Sequence, residues 1–317
     1  MAREPITLQE AVVYFSDPDN CRAYIVPRRW PDGVTCPRCG SMKVAFQPKY
    51  NRWQCSVHHA RRQFTLKTGT IMEDSPIGLD KWLTAMWLVA SNRNGISSWE
   101  LHRALGITQK TAWFMLHRIR LAMQDDLTGG NLGGEVEVDE TYIGGKSRNM
   151  HAERRRRTIN GDHKGKTVVL GMLERGGQVR AGVVPDRKKD TLRPIVSANV
   201  DAGTKLYTDE YGWQWVNKDE YLHEMVNHLD QYVSGNVHTN GLENFWSLLK
   251  RAIGGTYVSV EPFHLFRYVD EQAFRFNNRK PMDDSDRFSY LVRKIAGKRL
   301  TYAELTGKEA ETTEEPF

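Results

Sequence analysis

Apolar residues recur along this 317-residue chain at two different periods, and the change of period divides it. From 78 to 125 the period is helical. Trp82, Leu83, Met86 and Leu88 form one apolar run, RNGIS turns the chain, and TQKTAWFMLHRIRLAM resumes the pattern with Thr108 as a cap. From 135 the period is two. Val136 and Val138 alternate with Glu135 and Glu137, which predicts a strand with valines inward, glutamates outward and Asp139 at its end. KTVVLGMLE and QVRAGVV, separated by RGG, read as two antiparallel strands joined by a glycine turn. DTLRPIVSANV reads as a helix capped by Asp190, TKLYTDEYGW as a strand ending in Asp209, and YLHEMVNH as a fifth strand. HTNGLENFWSLLKRAIGGTY, 238–257, closes the segment as a helix.

Three antiparallel strands, a helix, a strand, a helix or loop, a further strand and a final helix is the ribonuclease-H-like order. In that topology the first and fourth strands lie side by side and parallel, so Asp139 and Asp209 would meet at one sheet edge although seventy positions separate them. The closing helix carries two stripes. Leu242, Trp246, Leu249 and Ile253 form the apolar one; Glu243, Ser247 and Lys250 form the other, about 100° away. Docking the first stripe on the sheet turns Glu243 toward the two aspartates. Three converging carboxylates repel one another and raise at least one pKa. Two Mg2+ ions roughly 4 Å apart turn that repulsion into attraction and suit a set of hard oxygen donors acting on a phosphodiester. Lys250, two turns along, would stand near a phosphate. Any one of these residues alone reads as a turn cap or a solvated helix face; the weight lies in the constellation.

Two further patterns lie upstream. CPRCG places Cys36 and Cys39 at the spacing of a metal knuckle, and WQCSVHHARRQF supplies Cys55 with His58 or His59 fifteen or more residues later. A Cys3His zinc site follows, with His58 preferred over His59. Cys21 has no partner at that spacing and reads as a small buried hydrophobe. Between 97 and 123 a short helix, a Gly-bearing turn and a second helix have helix-turn-helix form, with Ser98 as the first cap. Gln109 and Lys110 then sit where base edges would be met.

Charge refines the picture without deciding it. The net charge is +6, with 45 basic against 39 acidic residues, so a polyanionic partner is permitted but not required. The distribution says more: basic residues crowd into 28–67 and 146–166, the latter holding Arg154, Arg155, Arg156 and Arg157. The last stretch, ETTEEPF, is acidic and expected to be disordered. No run of eighteen apolar residues predicts a membrane span, MAREPITLQE lacks the layout of a secretory signal, and the four cysteines do not form a disulfide framework. A cytoplasmic protein is expected, bacterial and associated with the nucleoid.

CPRCG, QFTLKTGTIMEDS, VDETYIGGK, YTDEYGW and HTNGLENFWSLLKR together resemble the DDE-type insertion-sequence transposases of the ISXO-like group, over nearly the whole chain. The resemblance implies a multidomain α+β and α/β protein: a zinc ribbon over 1–72, a helical helix-turn-helix domain over 73–128, a ribonuclease-H-like catalytic domain over 129–295 and a tail over 296–317. It implies Mg2+ (or Mn2+) and Zn2+ as metals, and double-stranded DNA as partner of a homo-oligomer. Asp139 and Asp209 match the first two catalytic carboxylates; the third is either Glu243, preferred for its geometry and the spacing of the wider superfamily, or Asn240 of HTN, which is sometimes taken as the third member in this group. Lys250, Arg251, Gln109, Lys110 and Arg154–Arg157 are the expected DNA contacts. The departure from the family pattern is Cys55-x2-His58, with extra length before Phe64. A structure-selective nuclease on the same core and an inactive DNA-binding regulator are the rival readings.

Overall fold

Side-chain caps written into the sequence start most of the helices. In the computed structural model, which describes residues 3–124, 130–144, 166–209, 213, 216, 220–226 and 238–308, the chain divides into two units. One is Met1–Met123 with Lys280–Phe317; the other is Gln124–Arg279. In the first, Thr7 and Glu10 form a capping box on α1 (Leu8–Phe15), and Asp17 with Pro18 starts α2 (Pro18–Arg29). β1 (Val44–Gln47), β2 (Arg52–Cys55) and β3 (Gln63–Phe64) form an antiparallel sheet in that order. It is held by Trp53, which stacks on Phe64 at 5.9 Å and meets Trp30 edge-on.

The helical run follows as α3 (Leu79–Ser91), α4 (Ser98–Leu105) and α5 (Gln109–Met123). The cap of α4 is Ser97, one residue before the expected Ser98. Ser97 Oγ accepts from the Glu100 amide while Glu100 accepts from the Ser97 amide, so the capping box fixes the earlier residue. Thr108 Oγ1 accepts from the Thr111 amide at 3.2 Å and caps α5.

In the second unit, β4 (Glu135–Ile143), β5 (Thr167–Glu174), β6 (Val179–Val184), α6 (Lys189–Asn199), β7 (Lys205–Asp209) and β8 (Leu222–Val226) precede two helices, α7 (Asn240–Arg251) and α8 (Leu265–Asn277). The sheet order is β6-β5-β4-β7-β8. The first three strands are antiparallel, whereas β4 pairs β7 and β7 pairs β8 in parallel. The first and fourth strands of this unit therefore lie side by side and parallel. One face of the sheet carries Val136, Val138 and Leu206 against Leu192 and Val196 of α6; the other carries Val169 and Leu173 against Leu242, Phe245, Trp246 and Leu249 of α7. The N-terminal contacts of α6 come from Asp186, which accepts from the Lys188 amide and from Thr191 Oγ1; Asp190 lies inside the first turn rather than at the cap.

Two expectations for β4 change. The strand does not end at Asp139 but runs on to Ile143, paired throughout with β5; what ends there is its pairing with β7, whose last residue in register is Thr208 opposite Val138. Glu137 does not face water either. It is 1% exposed, because the face it shares with Asp139 is covered by α7.

The chain then returns to the first unit. α9 (Asp284–Arg293) buries Phe288, Leu291 and Val292, with Phe288 stacked on Tyr24 at 5.4 Å and against Trp87 at 4.9 Å. α10 (Tyr302–Thr306) packs beside α5. The sequence alone groups 284–295 with the segment that begins at 129 and sets 296–317 aside as a tail. The buried stripe of α9 groups them with the first unit instead.

Gly171, opposite Asp139 on β5, is what lets α7 approach the sheet: a Cβ there would lie 2.6 Å from the Trp246 ring. Gly171→Ala should cost about 1–3 kcal/mol by overpacking. It should lower the melting temperature of the second unit by several degrees in calorimetry. Gly182→Ala on β6, which meets open space, should leave it unchanged.

Candidate active site and metal centre

The zinc ligands gather where the β1–β2 sheet meets the knuckle. Cys36 Sγ lies 3.5 Å from His59 Nε2, Cys39 Sγ lies 3.7 Å from Cys55 Sγ, and the four ligand atoms all fall within 4.8 Å of one another. Zinc bonds of about 2.3 Å to sulfur and about 2.05 Å to nitrogen at a tetrahedral angle require edges of roughly 3.8 Å and roughly 3.6 Å, so the spacing fits the ion. The histidine is His59, not the preferred His58. The turn after Cys55 leaves His58 exposed and brings His59 inward, and His59 Nδ1 lies 2.7 Å from the Ala60 carbonyl. A proton on Nδ1 then donates to that carbonyl and leaves the Nε2 lone pair for a metal. At Cys36, burial would push the thiol up. The amides of Arg38 and Cys39, with the thiols of Cys39 and Cys55, outweigh it and bring the pKa down to about 7, toward the thiolate a metal needs. Cys21 is buried as expected. Its thiol donates to the Phe15 carbonyl, and burial holds its pKa up at about 12.

In the second unit, the parallel pairing of β4 and β7 sets Asp139 one residue beyond the Val138–Thr208 pair and Asp209 one residue beyond it on the neighbouring strand, at the same edge. Asp139 Oδ1 accepts from the Glu140 amide at 2.8 Å, and Oδ2 accepts from Trp246 Nε1 at 2.9 Å. Desolvation pushes the Asp139 carboxyl up to about 6. The Trp246 indole N–H opposes that shift, while the charges of Glu140 and Asp209 add to it. Glu140 points to the opposite face, where Oε2 accepts from Trp213 Nε1 at 3.0 Å and Arg187 lies 3.8 Å away; burial raises its pKa as well.

The remaining expected residues lie on α7. Asn240 is its first residue, and Asn240, Glu243, Lys250 and Arg251 are exposed. Glu243 stands one turn before Trp246, the residue that touches Asp139. Its carboxylate does not share a cluster with those of Asp139 and Asp209: among the described residues, the three-cysteine, one-histidine group alone gathers three or more such ligand atoms. Of the other expected contacts, Gln109 donates to Ser98 Oγ at 2.9 Å, and Lys110 is exposed with Nζ 4.6 Å from the Tyr302 ring. Arg154–Arg157 lie outside the described residues.

Sequence reading missed the group that anchors α7. Glu137 Oε2 accepts from the Leu242 amide at 2.9 Å, in the first turn of the helix, and Oε1 accepts from Arg175 Nε at 3.1 Å. Arg175 Nη2 donates to the His238 carbonyl at 2.6 Å, and its guanidinium lies over the Tyr207 ring at 3.9 Å. The signal was present: Glu135, Glu137 and Asp139 share one parity of a strand, so whatever covers Asp139 also covers Glu137.

The chain matches the ISXO2-like transposase domain over residues 131–277 and the transposase zinc-ribbon domain over residues 16–57. It is 29% identical, over 70% of its own length and 79% of the relative's, to an "uncharacterized protein in transposable element ISH50" of Halobacterium salinarum. It is 30% identical to an "uncharacterized transposase-like protein" of Haemophilus influenzae, over 30% of its own length and 78% of the relative's. No solved structure matches it significantly. Among the described residues, no helix is long and apolar enough to cross a membrane.

Two outcomes check these sites. After dialysis against a mild chelator, His58→Ala should keep its zinc and His59→Ala should lose most of it, as read by elemental analysis. In Mg2+-free, zinc-loaded protein, the Asp139 carboxyl ionises near 3.8 when unfolded and near 6 when folded. The unfolded state therefore holds fewer protons between those values, and stability falls as pH rises through them. Relative to Asp139→Asn, the wild type should lose a few degrees of melting temperature between pH 4 and 6 and nothing further above.

Proposed function

We propose a DNA transposase function for this chain, which belongs to the family of ISXO2-like transposases. On this reading it binds the ends of an insertion sequence, hydrolyses a phosphodiester at each end, and uses the freed 3′-hydroxyl to attack target DNA. The observation that carries the reading is the parallel β4–β7 pairing, which sets Asp139 and Asp209 at one edge, with Asp139 touched by Trp246 of α7. That pairing, the strand order and the crossing helix support a ribonuclease-H-like core.

Asp139, Asp209 and Glu243 are the residues that would hold Mg2+ or Mn2+, with Asn240 as the neighbouring oxygen donor. Asp209 lies near enough to Asp139 for its charge to raise the Asp139 pKa, a pairing that suits a divalent cation, and every donor in the set is a hard oxygen. When bound, such ions activate a nucleophilic oxygen and stabilise the leaving one. The chain's own residues do the rest. Trp246 orients the Asp139 carboxylate, and Glu137 with Arg175 fixes the start of the helix that presents Glu243. Lys250 and Arg251, exposed on the same helix, meet phosphates.

The ribbon and the α4–α5 pair, read as a helix-turn-helix, supply end binding, with Lys110 at the start of α5. Arg154–Arg157 belong to the same reading as backbone contacts that position without reading sequence. Two ends must be handled together, so an assembly of two or more copies acts, on DNA in the cytoplasm.

Purified protein with Mg2+ and end-bearing duplex should give strand-transfer products on a plasmid target. Cleavage without joining would assign a nuclease, and binding without either a regulator. Asp139→Ala should abolish both steps, a fall of at least about a thousandfold, and leave end binding intact; undiminished cleavage by that variant would overturn the site.

A further inference from the structure

We propose that residues 298–302 form the middle of a phosphate-binding track on the first unit, running from the zinc knuckle to the start of α5, along which the backbone of an element-end duplex lies. The proposal rests on the transposase reading and adds a surface from the far end of the chain.

This segment is held in place by backbone and side-chain bonds. The Ile71 amide donates to the Ile295 carbonyl and the Gly297 amide to the Gly69 carbonyl, each at 3.0 Å, and Thr70 bridges Ala296. Further on, Arg118 Nε donates to the Leu300 carbonyl at 3.1 Å. Residues 296–300 are thus fastened at one end to the 69–71 segment that follows the ribbon and at the other to α5.

On the knuckle side, Lys298 and Arg299 share a cavity of about 330 Å3 with Pro37 and Gly69. A second cavity of about 510 Å3 begins at the next residues, Arg38 and Thr68, and is lined by Arg61, Lys67 and Asp74. An ion pair of 2.8 Å between Arg299 and Asp74 joins the two, with both side chains more than half exposed. On the α5 side, Asp74 also lines a cavity of about 220 Å3 with Lys110, Phe114 and Tyr302. There Tyr302, 41% exposed, meets Phe114 edge-on at 5.6 Å and lies under the Lys110 ammonium.

The three cavities therefore adjoin through Asp74 and Arg299. Along them stand Arg38, Arg61, Lys298, Arg299 and Lys110 against Glu73 and Asp74, and most of the cations are exposed. Long basic side chains lining adjoining clefts, with one accessible aromatic ring, have the chemistry of backbone phosphate contact. The acids have a place in this. An exposed ion pair holds Arg299 to Asp74 at little net gain, so a phosphate can take over that arginine, while Arg38 stands 3.7 Å from the half-buried Glu73.

The test uses full-length, zinc-loaded protein and a fluorescent end-bearing duplex, with anisotropy read across a salt series. The double variant Lys298→Gln, Arg299→Gln should bind at least about tenfold more weakly near 0.1 M salt, and its log–log salt slope should be shallower by roughly 1.8. Asp74→Asn should bind more tightly: it removes a repelling charge and frees Arg299, and asparagine tolerates the left-handed backbone found at this position, φ +59°. An unchanged affinity and slope in a double variant with normal zinc content and melting temperature overturns the proposal. If that variant melts early, Asp74→Asn decides, and no gain in affinity overturns it. A wild-type protein that binds no duplex in a salt-dependent way removes the transposase reading itself, and this track with it.

Discussion

Glu137 is a carboxylate with almost no exposure to water, and the position of α7 on the sheet depends on how its charge is satisfied. It accepts an amide from the first turn of the helix and a guanidinium N–H from Arg175, which also holds the His238 carbonyl just before that helix. Removing one partner of such a buried set leaves an uncompensated charge, at about 3–5 kcal/mol. The helix N-terminus adds its own attraction for the negative group. Close approach is secured by absence of side chain: a Cβ on Gly241 would lie 2.3 Å from Leu173 and 2.8 Å from the Glu137 carboxylate. With that end fixed, Trp246 arrives over Gly171, and its indole reaches Asp139. One buried ion pair thus fixes the start of the helix whose Trp246 reaches Asp139.

Much of this unit was legible from periodicity. Alternating valines located β4, the turn at RGG located the β5–β6 hairpin, and the stripe of Leu242, Trp246 and Leu249 gave the buried face of α7. What periodicity does not carry is the partner of each polar position. Glu137 looked outward because alternation says only that it opposes Val136 and Val138. Whether that second face meets water or a helix is a tertiary fact. For the same reason the end of β4 was misplaced: Asp139 ends one pairing and continues another, and a single strand's pattern cannot show which neighbour leaves first.

The ribbon makes the parallel point at shorter range. Cys-x2-Cys spacing determines the first knuckle, because only one turn brings the two sulfurs together. Adjacent histidines give no such constraint. His59 is selected by the Ala60 carbonyl, which orients the ring, and by burial that excludes His58. The return of α9 to the first unit was less legible still. Phe288 has an ordinary amphipathic setting in sequence, and only the aromatic cluster with Tyr24 and Trp87 shows where the helix packs.

That return has a consequence for how the two units are built. The first unit is completed by residues that follow the second in sequence, so the Gln124–Arg279 segment is an insertion between α5 and α9 rather than a terminal domain. An insertion is tethered at both ends, and its two connections leave and re-enter one folded body. Truncation after the second unit would therefore expose the α3 face that Phe288, Leu291 and Val292 cover. The ribbon and the helical segment need the C-terminal helices for their own core, which is why a stretch that looks dispensable by position belongs to the part of the chain that holds the zinc ligands.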